Sequence, residues 1–196
     1  AVAAVNPSEY LHSGVGHVRT PAVSLVFGHV AESVATARNT ARESLSHFTD
    51  SGVVPYQKPA DGEDYGRTHW TNHANGITGR VVAGLLEAAA FSGDEQLLAQ
   101  ALHRLRGLNV YHRGVPRGAQ TWEMPLHTPD ILAAAHMVNA YVTGFELTGE
   151  AQFREEAIYW AWTGVPMIYL VDPTPKPVGR YGTVSVLGAT NRRAPV

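Results

Sequence analysis

The sequence predicts an all-α chain made of antiparallel helical hairpins of an (α/α) toroid, and three observations lead to this fold class. Apolar residues recur at steps of three and four along several long segments. Two short turns between such segments carry glycine followed by an acid, which is how one helix ends and the next is capped. Residues 91–97 also align with residues 147–153, an offset of 56. The alternative is two unrelated hairpins that share only their turn chemistry.

The first predicted helix begins at Thr20-Pro21 and runs to Phe48. A capping threonine followed by proline at the first helical position favours a helix start. From Val26 onward the apolar residues form one stripe, and the opposite face carries Glu32, Arg38, Arg42 and Glu43. This pattern is typical of an outer helix with one face in water.

Four further helices form two pairs. The pattern over 72–91 is apolar around most of the helix, whereas the helix that follows Gly93 and Asp94 is amphipathic. The second pair repeats this order, with an almost entirely apolar helix over 131–147 and a helix over 150–169 that starts with a polar face. In each pair, a buried inner helix is therefore expected to precede an exposed outer helix.

Inner helices that are apolar all round favour closure of the hairpins into a toroid, and an open solenoid is the alternative. In a toroid the long loops meet at one end, so residues 51–70, 109–127 and 171–196 would surround a single mouth, where a ligand site is expected. Six hairpins of 56 residues need more than 196 residues. Residues 1–196 are therefore interpreted as a single helical-hairpin domain, either part of a larger toroid or an open array.

Composition excludes several classes of function. The formal charge is −2, from 15 Lys+Arg and 17 Asp+Glu, so a nucleic-acid partner is not expected. No apolar run approaches the length of a membrane span, and no membrane partner is expected. The chain has no cysteine, which excludes disulfides, thiolate zinc sites and a cysteine nucleophile. Oligomeric state and cellular compartment stay open.

Two segments and one turn carry a resemblance to a known superfamily. They are residues 121–130, TWEMPLHTPD, residues 159–166, YWAWTGVP, and the turn Leu147-Thr148-Gly149-Glu150. Over about residues 70–196 the chain resembles the six-hairpin glycosidase-like superfamily of bacterial proteins. The resemblance implies an (α/α) toroid that acts on an oligosaccharide or polysaccharide, with aromatic rings and carboxylates in its mouth. Members hydrolyse glycosides or hydrate unsaturated uronyl sugars, and related toroids are polysaccharide lyases or sugar epimerases.

Three side chains are candidates for the chemistry. Hydrolysis of a glycoside needs a carboxylic acid and a second carboxylate, for which Glu123 and Asp64 are the candidates. His127 could instead remove a proton in a lyase, with Tyr111 or Tyr65 as the acid. Their structural alternatives are solvated loop carboxylates and a capping or core histidine. Asp130 is assigned to the second helical position, where the helix dipole accounts for it.

Five side chains are candidates for substrate binding: His69, Trp70, His73, Tyr111 and Trp122. The two tryptophans each lie shortly before a buried helix and could stack on pyranose rings, or could pack the loops onto the barrel. The two histidines are four residues apart, but the sequence has no HExxH arrangement there, so no metal is predicted. No cofactor is predicted either.

The favoured hypothesis is therefore a glycoside hydrolase with a carboxylate pair in the toroid mouth. A polysaccharide lyase or sugar epimerase that uses His127, His73 and Tyr111 is the second hypothesis. A non-catalytic helical-repeat scaffold that binds a partner on its concave face is the third. Two converging carboxylates would favour the first, a converging His/Tyr pair the second, and an open array without a deep pocket the third.

Overall fold

A computed structural model describes residues 24–26, 28–60, 64–66, 70–121 and 124–168. These residues contain the α-helices α1 (Val30–Leu45), α2 (Asn75–Ser92), α3 (Glu95–Gly107), α4 (Ile131–Thr148) and α5 (Ala151–Gly164). Two 3₁₀ helices, Leu108–Tyr111 and Val165–Met167, follow α3 and α5. The described ranges contain no β-strand, so the all-α fold class is confirmed for them. Closure into a toroid stays a prediction.

The helices form an inner and an outer layer. The inner helices α2 and α4 pack along each other, α1 and α3 pack against α2, and α5 packs against α4. The inner helices α2 and α4 bury ten and six residues, whereas the outer helices α3 and α5 bury three and four, and Ala41 is the one buried residue of α1. The predicted alternation of buried and amphipathic helices is therefore confirmed. None of the described helices is both long enough and apolar enough to cross a membrane.

The core lies between the two layers. Its largest fully buried side chains include Trp160, Phe153, Leu85, Leu86 and Leu105, which come from both inner and outer helices. Burying each such side chain contributes about 1.5–3 kcal/mol to the hydrophobic driving force. The core therefore packs α2 and α4 together and places the starts of these two helices side by side.

The 56-residue repeat is confirmed by the helices and extends into the loops. Both ends of α4 lie 56 residues after the corresponding ends of α2. Gly93 and Gly149 end these two helices with φ of 60° and 72°, a left-handed conformation that glycine adopts without strain. One residue before each N-cap, the preceding loop forms an isolated antiparallel bridge, at His73 with Pro55 and at Pro129 with Arg117. The repeating unit therefore includes the loop before each inner helix and the bridge at the end of that loop.

The first predicted helix is interrupted before α1, although residues 24–26 are helical. Gly28 and His29 have φ of 89° and 64°, and these left-handed conformations interrupt a right-handed helix. As a result, α1 begins at Val30 and ends at Leu45, and the predicted stripe residue Val26 is exposed. The predicted start at Thr20-Pro21 lies outside the described residues.

The ends of three other helices also differ from prediction. Asp130 is the N-cap of α4 and not its second residue, because its Oδ1 accepts a hydrogen bond from the Ala133 amide at 2.7 Å. Helix α2 begins at Asn75, three residues later than predicted. Helix α5 ends at Gly164 and not near 169, since Pro166 has no amide hydrogen to continue it.

Candidate functional site

The long loops meet at the end of the array where the inner helices begin. The Leu126 amide donates to the Tyr65 carbonyl at 2.9 Å, and the Gly76 amide donates to the Arg117 carbonyl at 2.9 Å. The first bond joins the described parts of 51–70 and 109–127, as the sequence predicts, and the second ties the start of α2 to the loop 109–127. The third loop, 171–196, lies outside the described residues.

The predicted site residues divide into two groups. Glu123, Trp122 and His69 lie outside the described residues. The other five candidates are described, and two pairs of them come into contact: Trp70 with His127, and His73 with Tyr111. The fifth, Asp64, lies at the edge of the same loop cluster.

Trp70 and His127 form a ring contact at the surface of the loop cluster. Their ring centroids are 5.3 Å apart and their planes are inclined by 67°. His127 Nε2 donates to the Thr71 carbonyl at 2.7 Å, because a carbonyl oxygen can only accept. The other ring nitrogen, Nδ1, is buried and has no hydrogen-bond partner among the described residues. This geometry makes His127 an anchor for the Trp70 segment, whereas the sequence suggested a base. Trp70 itself is 63% exposed.

His73 and Tyr111 belong to a hydrogen-bonded chain beneath the loops. His73 Nδ1 lies 2.8 Å from the Tyr111 hydroxyl, which lies 3.0 Å from the Thr78 hydroxyl. The Val54 amide donates to Thr78 Oγ1 at 3.1 Å. The protons can be placed along this chain in two ways, with either His73 or Thr78 donating to the Tyr111 oxygen. In both arrangements Nε2 of His73 makes no hydrogen bond within the chain and can contact a ligand.

The electrostatics of this pair are set by burial and by nearby cations. Burial lowers the pKa of His73, and His127 and Arg117 lower it further, so His73 is neutral at neutral pH. Burial raises the pKa of Tyr111 to about 12, so its hydroxyl keeps its proton. A neutral imidazole can offer either a proton or a lone pair to a substrate.

Arg117 is a site residue that sequence reasoning missed. Its positive charge acts on both His73 and Tyr111, and the Arg117 side chain is half-buried. The Arg117 backbone bridges to Pro129, which brings this loop against the start of the neighbouring inner helix. No spacing in the sequence indicates this proximity, because it depends on how two loops pair.

Asp64 caps a turn at the edge of the loop cluster. Its Oδ1 accepts a hydrogen bond from the Gly66 amide at 3.1 Å, and the residue between them, Tyr65, is the acceptor for the Leu126 amide. Asp64 is half-buried. Its carboxylate therefore lies one residue from the contact between the two loops. Across the described ranges, no three His, Asp or Glu side chains are grouped closely enough to hold a metal ion.

A groove lies between the two inner helices, and sequence analysis did not identify it. Its volume is about 640 Å³, and its lining comprises Arg80, Ala83, Gly84, Glu87, Ala135, His136, Val138, Asn139 and Val142. Arg80 and His136 occupy equivalent positions of the 56-residue repeat, on adjacent helices. Burial lowers the pKa of His136 to about 4, with a further contribution from the Arg80 charge.

This shift predicts a pH dependence of folding. Because the pKa of His136 is lower in the folded chain than the unfolded value of 6.5, the stability that depends on neutral His136 is complete above pH 6.5 and is lost as the pH falls towards 4. The loss is expected to be roughly 3 kcal/mol. Denaturant unfolding from pH 7 to pH 4 should show a steeper loss for the native chain than for His136→Gln. Parallel curves would contradict this assignment.

No protein-family model, curated protein or solved structure matches the chain. The resemblance to six-hairpin glycosidase-like proteins therefore depends on the sequence segments alone. The evidence for function therefore comes from the side chains at the loop end and in the groove.

Proposed function

We propose that this chain is a carbohydrate-active enzyme that binds a glycan at the loop end and hydrolyses a glycosidic bond. The observation that carries the proposal is the exposed indole of Trp70, held by His127 where the loops meet. An indole ring offers a broad apolar face, suited to the C–H face of a pyranose. A large aromatic side chain exposed at the meeting point of two loops favours ligand binding.

Polar groups near the indole suit recognition of sugar hydroxyls. His73 is half-buried and neutral, and its Nε2 makes no hydrogen bond with a described residue. Arg117 adds donors and a positive charge within range of His73. An apolar platform combined with a few fixed polar groups is the usual composition of a small-ligand site.

The carboxylate pair proposed for hydrolysis is Glu123 and Asp64. Asp64 lies next to Tyr65, whose carbonyl accepts from the amide of Leu126, three residues after Glu123 along the chain. This bond supports the proposal, because it joins the segment that contains Asp64 to the loop that contains Glu123. One carboxylic acid would protonate the leaving oxygen, and the other carboxylate would activate water or stabilise the oxocarbenium-like transition state.

Replacing Trp70 with alanine is expected to weaken glycan binding about tenfold, in line with the loss of an aromatic stacking surface. The thermal midpoint should change little, because the side chain is mostly exposed. Trp162→Ala is the matched control, since Trp162 is 70% exposed on the outer helix α5. Titration calorimetry against a panel of oligosaccharides measures both variants. Equal binding by both variants would show that Trp70 is not the platform.

A polysaccharide lyase or epimerase is the second candidate, favoured by the 2.8 Å contact between His73 and Tyr111. In this mechanism His73 would take the proton next to a uronate carboxylate, and the Arg117 charge would stabilise the carbanion formed. In a lyase the bond from the neighbouring carbon to the glycosidic oxygen would then break, and that oxygen would leave with a proton from water. In an epimerase the carbanion would instead take a proton on its other face. Tyr111 is 8% exposed and would position His73 without touching the substrate. Elimination creates a conjugated double bond that absorbs in the ultraviolet, whereas hydrolysis creates a reducing end without one.

A further inference from the structure

We propose that the groove between α2 and α4 binds an oxyanion carried by a small polyol, held by the Arg80 guanidinium with His136 as a second hydrogen-bond donor. This site is separate from the loop end where Trp70 lies, and it does not depend on the reaction proposed there. The ligand class follows from the charge, the space and the hydrogen-bonding groups of the groove.

Arg80 supplies a positive charge that the described residues leave uncompensated. It is an exposed residue of α2 on the groove face, and it is not among the ion pairs that the described residues form. The acid on the same face, Glu87, lies two turns further along α2, where its Oε1 accepts from Asn139 Nδ2 at 3.3 Å. A planar guanidinium matches a carboxylate or sulfate in geometry and in charge.

His136 supplies a neutral hydrogen-bonding ring beside this cation. Burial and the Arg80 charge both disfavour its protonated form, so at neutral pH the ring has one N–H donor and one acceptor. Neither nitrogen makes a hydrogen bond within the described part of the chain. An oxyanion placed between the guanidinium and the imidazole N–H would satisfy both groups.

The groove also has room and polar groups for the rest of the ligand. Small residues, Ala83, Gly84 and Ala135, form part of its lining, and a Cβ placed on Gly84 would meet no atom within 4 Å. The Glu87 carboxylate and the Asn139 amide, which are hydrogen-bonded to each other, make the lining polar about two turns of α2 beyond Arg80. These groups suit hydroxyls on a polyol whose acidic end lies at Arg80.

The experiment uses sulfate, glucuronate and glucose as probes of the anion alone, the anion with a polyol, and the polyol alone. NMR titration of the His136 ring, assigned with His136→Gln, reports the pKa of that ring. A bound anion should raise the His136 pKa, since it offsets the Arg80 charge. Glucuronate should bind more tightly than sulfate, and glucose should leave the pKa unchanged.

Arg80→Gln should weaken glucuronate binding at least about tenfold, the loss expected for a charge-assisted hydrogen bond. Arg154→Gln, which removes the same charge from an exposed position of the outer helix α5, should bind as the native chain does. Arg80→Lys keeps the charge and should retain part of the affinity, and circular dichroism confirms that each variant is folded. Unchanged His136 signals with sulfate and glucuronate, or equal binding by Arg80→Gln and Arg154→Gln, would overturn the proposal. Trp70→Ala should leave glucuronate binding in the groove unchanged. A negative result at the groove is therefore distinguishable from a negative result for the glycan site at the loop end.

Discussion

Replacing Glu123 with glutamine is expected to lower turnover of a cleavable glycan at least about a hundredfold, the contribution typical of a general acid. Glutamine has nearly the same size as glutamate but no proton to give to the leaving oxygen. Glycan binding and the thermal midpoint should therefore stay close to the native values. Reducing-end formation measures turnover, and calorimetry measures binding.

The matched control for this substitution is Glu155→Gln, because Glu155 is exposed on the outer helix α5 and is not a candidate site residue. Asp64→Asn should also lose activity if Asp64 is the second carboxylate. Full activity of Glu123→Gln would remove the carboxylate mechanism. A product with a conjugated double bond would then favour elimination by His73. Glycan binding without turnover in the native chain would favour the non-catalytic scaffold.

Replacing Gly118 with alanine is expected to destabilise the fold by about 3–4 kcal/mol. Gly118 has φ of 78°, which costs an L-residue about 1–2 kcal/mol. An added Cβ would also lie 2.4 Å from Ala74 Cβ and 2.8 Å from the Leu126 carbonyl oxygen, neither of which can rotate away. Overpacking of this kind typically adds about 1–3 kcal/mol.

Gly149→Ala separates the two causes. Gly149 has a similar φ of 72°, but a Cβ there would meet no atom within 4 Å. It should therefore lose only the conformational part, about 1–2 kcal/mol. Urea unfolding of both variants gives the two free energies of unfolding. Equal losses would mean that the loop at Gly118 moves to accept the methyl group, and that the loop end is less rigid than its contacts indicate.

Local signals in the sequence predict the helices and their layers well. The turns at Gly93 and Gly149 follow from glycine's freedom at positive φ, and the identical spacing of the inner helices follows from the repeat. The interruption before α1 was missed because no pattern of apolar residues shows that His29 takes a left-handed conformation. The role of Asp130 was misread for a related reason, since its second hydrogen bond comes from Ala119 in a loop, outside its own helix.

The site depends on contacts between residues far apart in the chain. Spacing suggested that three loops meet at one end, and a hydrogen bond between Leu126 and Tyr65 confirms the contact for the described parts of the first two loops. Spacing allowed His73 and Tyr111 to be assigned to one site, but it could not show that they are hydrogen-bonded to each other or that Arg117 lies near both. It also could not show the groove, because Arg80 and His136 lie at equivalent positions and face the same space only once α2 and α4 pack side by side. Periodicity determines which face of a helix is buried, but the packing of helices and the pairing of loops decide which polar side chains meet.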